Sequence, residues 1–62
     1  MVTYAIIDRN AKHGVPNDEL IHISNNKKDI DLNYQKYINR KFIPIYWNKK
    51  NVFIFKKENE DE

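Results

Sequence analysis

The sequence predicts an α+β fold, a ββαββ domain whose antiparallel sheet of about four strands carries one helix on one face. Three observations predict it. Four segments are rich in β-branched and aromatic residues. A fifth, lying between the second and third of these, repeats its apolar residues at helical spacing, and turn-forming residues separate the elements. At 62 residues the chain is one domain at most, expected over residues 1–57, with an acidic, disordered tail over 58–62.

Residues 1–8 read as a strand whose two faces, Val2/Tyr4/Ile6 and Thr3/Ala5/Ile7, are both largely apolar. That pattern suits a central strand. Residues 9–18 contain Gly14, Pro16 and the Asn17–Asp18 pair and read as a loop. Residues 19–24 form a second short strand, with Ile21 and Ile23 expected on one face and Leu20 and His22 on the other. The helix is expected over 30–41, with Asp29 as its N-cap and Ile30, Tyr34, Tyr37 and Ile38 on its apolar face. Asp31 in the first turn, and Arg40 and Lys41 in the last, complement the helix dipole. Leu32 falls off the apolar face.

Residues 42–47 and 52–57 are the remaining strands, joined by the glycine-free turn 48–51, where Asn48 or Asn51 is best able to adopt a left-handed conformation. Pro44 marks the first of these strands as an edge or a bulged strand. A strand covered on one side only should alternate apolar and polar residues, and this hairpin does not. Ile43, Ile45 and Trp47 oppose Phe42, Pro44 and Tyr46 across one strand; Val52 and Ile54 oppose Phe53 and Phe55 across the other. An even loop sets Trp47 against Val52, and an odd loop sets it against Phe53. Both faces are apolar in either register. One helix of about three turns covers one face of a sheet. The second face is then covered by the 9–18 loop, by coiling of the sheet, or by another molecule.

A chain this short buries only about 60% of its unfolded surface and usually needs a staple. The absence of cysteine excludes disulfides and thiolate zinc sites, and His13 and His22 have no third ligand at a recognisable spacing. No metal or cofactor is expected. Oligomerisation is the staple that remains, with a monomer built on a small efficient core as the alternative. No segment is long or apolar enough to span a membrane, and the N-terminus has no signal-peptide pattern, so a cytoplasmic location is expected. Isoleucine, lysine and asparagine number nine each, the residues of AT-rich codons, which points to a low-GC bacterium, its phage or another mobile element.

Charge is segregated along the chain. Between Leu32 and Lys57 there are seven basic residues and no acidic one, whereas Glu58, Glu60, Asp61 and Glu62 close the sequence. Basic residues interleaved with aromatic ones are the ingredients of a nucleic-acid surface, here Arg40, Lys41, Lys49, Lys50, Lys56 and Lys57. Lysine on a sheet edge also serves simply to block aggregation. A catalytic reading has little to stand on. Its best constellation is Asp8, His13, Asp18 and His22, with Ser24 and Thr3 the sole serine and threonine and Gly14 the sole glycine.

The expectation is therefore a small non-enzymatic interaction protein, a regulator or inhibitor of a macromolecular partner. Tyr46, Trp47, Phe53 and Phe55 form the contact surface, and Lys49 and Lys50 supply long-range attraction. Direct nucleic-acid binding through the basic hairpin and a plain homodimer interface are the alternatives.

Overall fold

The computed structural model describes residues 1–40 and 47–58. Within them the chain forms strand β1 (Val2–Asp8), strand β2 (Glu19–Ser24), helix α1 (Lys27–Arg40), a 3-10 turn (Lys49–Asn51) and strand β3 (Val52–Glu58). The fold is α+β, and its sheet has three antiparallel strands in the order β2-β1-β3 among the described residues. The strand expected over 42–47 lies outside them except for Trp47, which is not in a strand. β3 runs one residue past its expected end, into Glu58, and the rest of the acidic tail also lies outside.

β1 is the central strand, as two apolar faces require. Its register with β3 is unbroken from Val2↔Glu58 to Asp8↔Val52. Its register with β2 slips between Ile6 and Ile7: Ile6 pairs with His22, whereas Ile7 pairs with Leu20. Ile21 is the extra residue of a β-bulge. The bulge overturns the expected faces of β2. Ile21 and His22 now look toward the helix, and Leu20 and Ile23 share the opposite side.

Helix α1 starts at Lys27, three residues before the expected position, and its cap is Asn26 rather than Asp29. The Asn26 side-chain oxygen accepts from the Lys28 N–H at 2.9 Å, and its backbone carbonyl accepts from the Ile30 N–H at 3.0 Å. That leaves the Asp29 carboxylate in the first turn, free to meet the His22 ring at 2.8 Å and tie the helix start to β2. Ile6, Ile30, Trp47 and Val52 form the buried cluster, and Tyr34, Tyr37, Ile38 and Ile54 pack against it. The apolar face of the helix is the expected one, and Leu32 is exposed.

The two turns use different chemistry. Lys12 and Val15 exchange backbone hydrogen bonds of 2.8 and 3.0 Å around His13 and Gly14, which both have positive φ, 55° and 81°, as in a type I′ turn. The turn before β3 needs no left-handed residue. Asn48 is extended at φ −131°, and its side chain accepts from the Lys50 N–H at 2.9 Å, so neither Asn48 nor Asn51 takes the expected conformation.

Ile30→Ala should cost about 2–5 kcal/mol in urea denaturation, while Leu32→Ala changes stability by less than about 0.5 kcal/mol. Equal losses at both positions would contradict this assignment of the helix face.

Candidate functional site

The side of the sheet away from α1 carries a continuous apolar surface. Pairing sets Ala5 between Ile23 and Phe55, and Ile7 between Leu20 and Phe53. Thr3 and Lys57 close the far end. Leu20, Ile23 and Phe55 are 58%, 57% and 52% exposed, so half of the six large hydrophobic residues that stand in solvent among the described residues share this one face. Ala5 is the smallest side chain on the face and is flanked by two large ones. The central strand is therefore recessed at Ala5, a shallow furrow between Ile23 and Phe55.

Charge frames the furrow. At one end the Arg9 guanidinium lies 5.1 Å from the centre of the Phe53 ring and bonds the Asp18 carboxylate at 3.0 Å. The Arg9 backbone N–H also donates to the Asn51 backbone carbonyl at 2.8 Å, which brings the Lys49–Lys50 turn to the same end. The cation over Phe53 shields that ring, which leaves Phe55 the more exposed of the two.

Behind the sheet a buried polar knot holds these parts in place. One Asp8 carboxylate oxygen accepts from the Asn10 backbone N–H at 2.9 Å and from the Asn10 amide at 2.7 Å. The other accepts from the Tyr37 hydroxyl at 2.7 Å and the Trp47 indole N–H at 3.1 Å. The Asn10 side-chain oxygen in turn accepts from the Asn48 N–H at 2.7 Å and the Asn51 amide at 3.2 Å. Asp8 and Asn10 are both buried. Burial alone would raise the Asp8 pKa. The bonds from Tyr37, Asn10 and Trp47 together outweigh it and hold the carboxyl below its ordinary value of 3.8. Burial, and then the bond to Asp8, push the Tyr37 hydroxyl well above its usual range.

Of the residues expected to bind a partner, Phe53 and Phe55 are on the open face, and Lys49 and Lys50 are exposed at its end. Trp47 is on the other side, 9% exposed, its ring 6.5 Å from that of Tyr37. Its indole N–H needs an acceptor when buried, and Asp8 supplies one. Tyr46 and Lys41 lie outside the described residues. Ile7, Leu20 and Ile23 complete the face and were not expected there; the bulge at Ile21 moves Ile23 across. The described basic residues of that set come from three elements. Lys56 sits opposite Tyr4 on the helix side, Lys57 opposite Thr3 on the open side, and Arg40 at the end of the helix.

The residues of the catalytic reading are engaged elsewhere. Asp8 is in the knot, Asp18 pairs with Arg9, His22 pairs with Asp29, and His13 forms a turn. A shallow cleft of about 230 Å³ opens beside the knot between Lys12, Asn17 and Glu19. Among the described residues, every buried side-chain polar atom has a hydrogen-bond partner, so the Asp8 wall of this cleft has no unmet group to offer a ligand.

Comparison with protein-family models, with curated proteins and with solved structures gives no match to this chain.

Because Asp8 has a lower pKa folded than unfolded, its contribution is complete above about pH 5 and is lost as pH falls through 3.8 toward the folded value. Asp29 acts with the same sign: the bond to His22, and then that to Ser24, lower its pKa. Asp8→Asn should cost about 2–4 kcal/mol at neutral pH and flatten, without abolishing, the acid limb of the stability curve. An acid limb identical to that of the wild type would show that Asp8 is not held ionised.

Proposed function

We propose that the protein is a small non-enzymatic interaction module that binds a protein partner through the open sheet face and modulates that partner's activity. One observation carries the reading: Leu20, Ile23 and Phe55 stand more than half exposed on one continuous face. Contiguous apolar surface of this kind marks interaction sites, whereas isolated exposed hydrophobic residues need no explanation. The face is also rigid, being a sheet backed by a packed core. Binding there requires little ordering of the docking residues.

The distribution of charge supports a protein partner over nucleic acid. Lys56 and Lys57 point to opposite sides of the sheet, so these two bases do not line one groove that could track a phosphate backbone. The engagement of Asp8, Asp18 and His22 in structural contacts supports a non-enzymatic role.

The test is affinity capture from nuclease-treated host lysate with the wild type, Phe55→Glu and Ile23→Glu. Both substitutions are at half-exposed positions and should leave the circular dichroism melt within a few degrees of the wild type. The expected result is a specific partner whose recovery drops at least about tenfold with either variant. Retention of the partner by both variants, or capture that depends on nucleic acid, would overturn the reading.

A further inference from the structure

We infer that β2 pairs through its outer edge with β2 of a second copy of the chain, antiparallel about a two-fold axis at Ile21 and His22. Two three-stranded sheets then become one sheet of six strands. The pairing stands on the edge of the sheet and not on the docking role proposed for its open face.

β2 is an edge strand, and the ladder shows which of its backbone groups look outward. The Arg9 N–H bonds the Asn51 carbonyl one step beyond the Asp8↔Val52 pair, so Arg9 and Asn51 occupy a hydrogen-bonding position. Such positions alternate along an antiparallel ladder. Ile7 and Ala5 therefore also turn their N–H and C=O groups to β3, while Asp8, Ile6 and Tyr4 turn theirs to β2. Glu19, His22 and Ser24 sit opposite those three and point inward. Leu20 and Ile23, opposite Ile7 and Ala5, direct their N–H and C=O groups out of the sheet. Among the described residues, no backbone hydrogen bond joins β2 to anything but β1, so these outward groups are unpaired. An unpaired edge is a template for another strand, and lysine or proline commonly guards it. β2 carries neither, whereas β3 carries Lys56 and Lys57.

The bulge decides which strand fits. Against a regular strand it sets two residues opposite one and interrupts the ladder. A second β2 brings the same extra residue to the same place, and a two-fold contact requires just such self-complementarity. The pairing then runs one to one: Glu19 with Ser24, Leu20 with Ile23, and Ile21 with His22. Opposed residues of paired strands share a face, and each of these pairs does. Glu19, opposite Asp8, and Ser24, opposite Tyr4, lie on the helix side with Ile21 and His22, whereas Leu20 and Ile23 lie on the open side. Along the strand the sides run helix, open, helix, helix, open, helix, the same in both directions. The outward groups meet as well, since Leu20 of one copy and Ile23 of the other exchange N–H to C=O bonds on both sides of the axis. No like charges are opposed, because Glu19, the one acid of β2, meets Ser24. On the open face Leu20 and Ile23, each more than half exposed, gain one another as cross-strand neighbours, and the two apolar faces join into one.

Sedimentation equilibrium of the full chain from about 10 μM to about 1 mM tests the inference. The expected mass rises from 7.5 kDa toward twice that value. Leu20→Pro deletes an outward N–H that β1 does not use, and should weaken the dimer at least about tenfold while keeping a folded dichroism spectrum. Two charged variants read the register, and they decide the matter if Leu20→Pro does not fold. Leu20→Glu with Ile23→Glu, and Leu20→Lys with Ile23→Lys, should each be monomeric, because like charges then oppose one another across the axis. Their equimolar mixture should recover the dimer. Phe55→Glu, on the far strand of the same face, should leave association within about threefold of the wild type while partner capture is lost. A wild type that stays monomeric at the highest concentration overturns the inference. So does a dimer that persists in both charged variants, or a mixture that fails to recover it. A dimer lost in Phe55→Glu but kept in Leu20→Pro is a contact between faces, and overturns the edge pairing as well.

Discussion

The buried carboxylate of Asp8 is the constraint on which the rest of this molecule depends. It sits at the end of the central strand and receives four hydrogen bonds from the loop after β1, from α1 and from Trp47. A charge in that position, with no cation bonded to it among the described residues, is tolerable because each oxygen meets two donors. The donors are therefore not interchangeable decoration. They fix the distance of the helix from the sheet and the place where the chain re-enters it, and Asn10 passes the same constraint on to Asn48 and Asn51.

With that end pinned, the two faces of the sheet have different fates. The Ile6 face is closed by α1, by the Trp47 ring and by Val52, and it becomes the core. The Ile7 face has Leu20, Ile23, Phe53 and Phe55 beside it and is left half open. In a chain of this size the second face is both a thermodynamic weakness and the most specific surface available. We propose that a docked partner resolves both aspects at once.

Much of this was legible in the residues because β1 and β3 pair without a bulge, so that successive residues take opposite faces. Two apolar faces on residues 1–8 implied a central strand. Val52 and Ile54 fall on one side of β3 and Phe53 and Phe55 on the other, and the pairing with β1 then assigns the first pair to the core side. The helix face followed from the spacing of Ile30, Tyr34, Tyr37 and Ile38. What could not be read locally was decided by contacts distant in sequence. The bulge at Ile21 depends on the register with Ile6 and Ile7, and it moved Ile23 away from the face that alternation assigns. Asp29 looks like a cap until His22 is known to stand opposite, and Asn26 then takes the cap. Trp47 reads as a contact residue by type, but the Asp8 carboxylate 39 positions away draws its indole into the core.

The division of the sheet into a closed and an open face is most directly tested by side-chain methyl NMR with a soluble paramagnetic relaxation agent. The account predicts strong broadening of the Leu20 and Ile23 methyls, while those of Ile6 and Ile30, both fully buried, stay sharp. Protection of Ile23 equal to that of Ile6 in the isolated monomer would mean that the second face is already covered, and would contradict it.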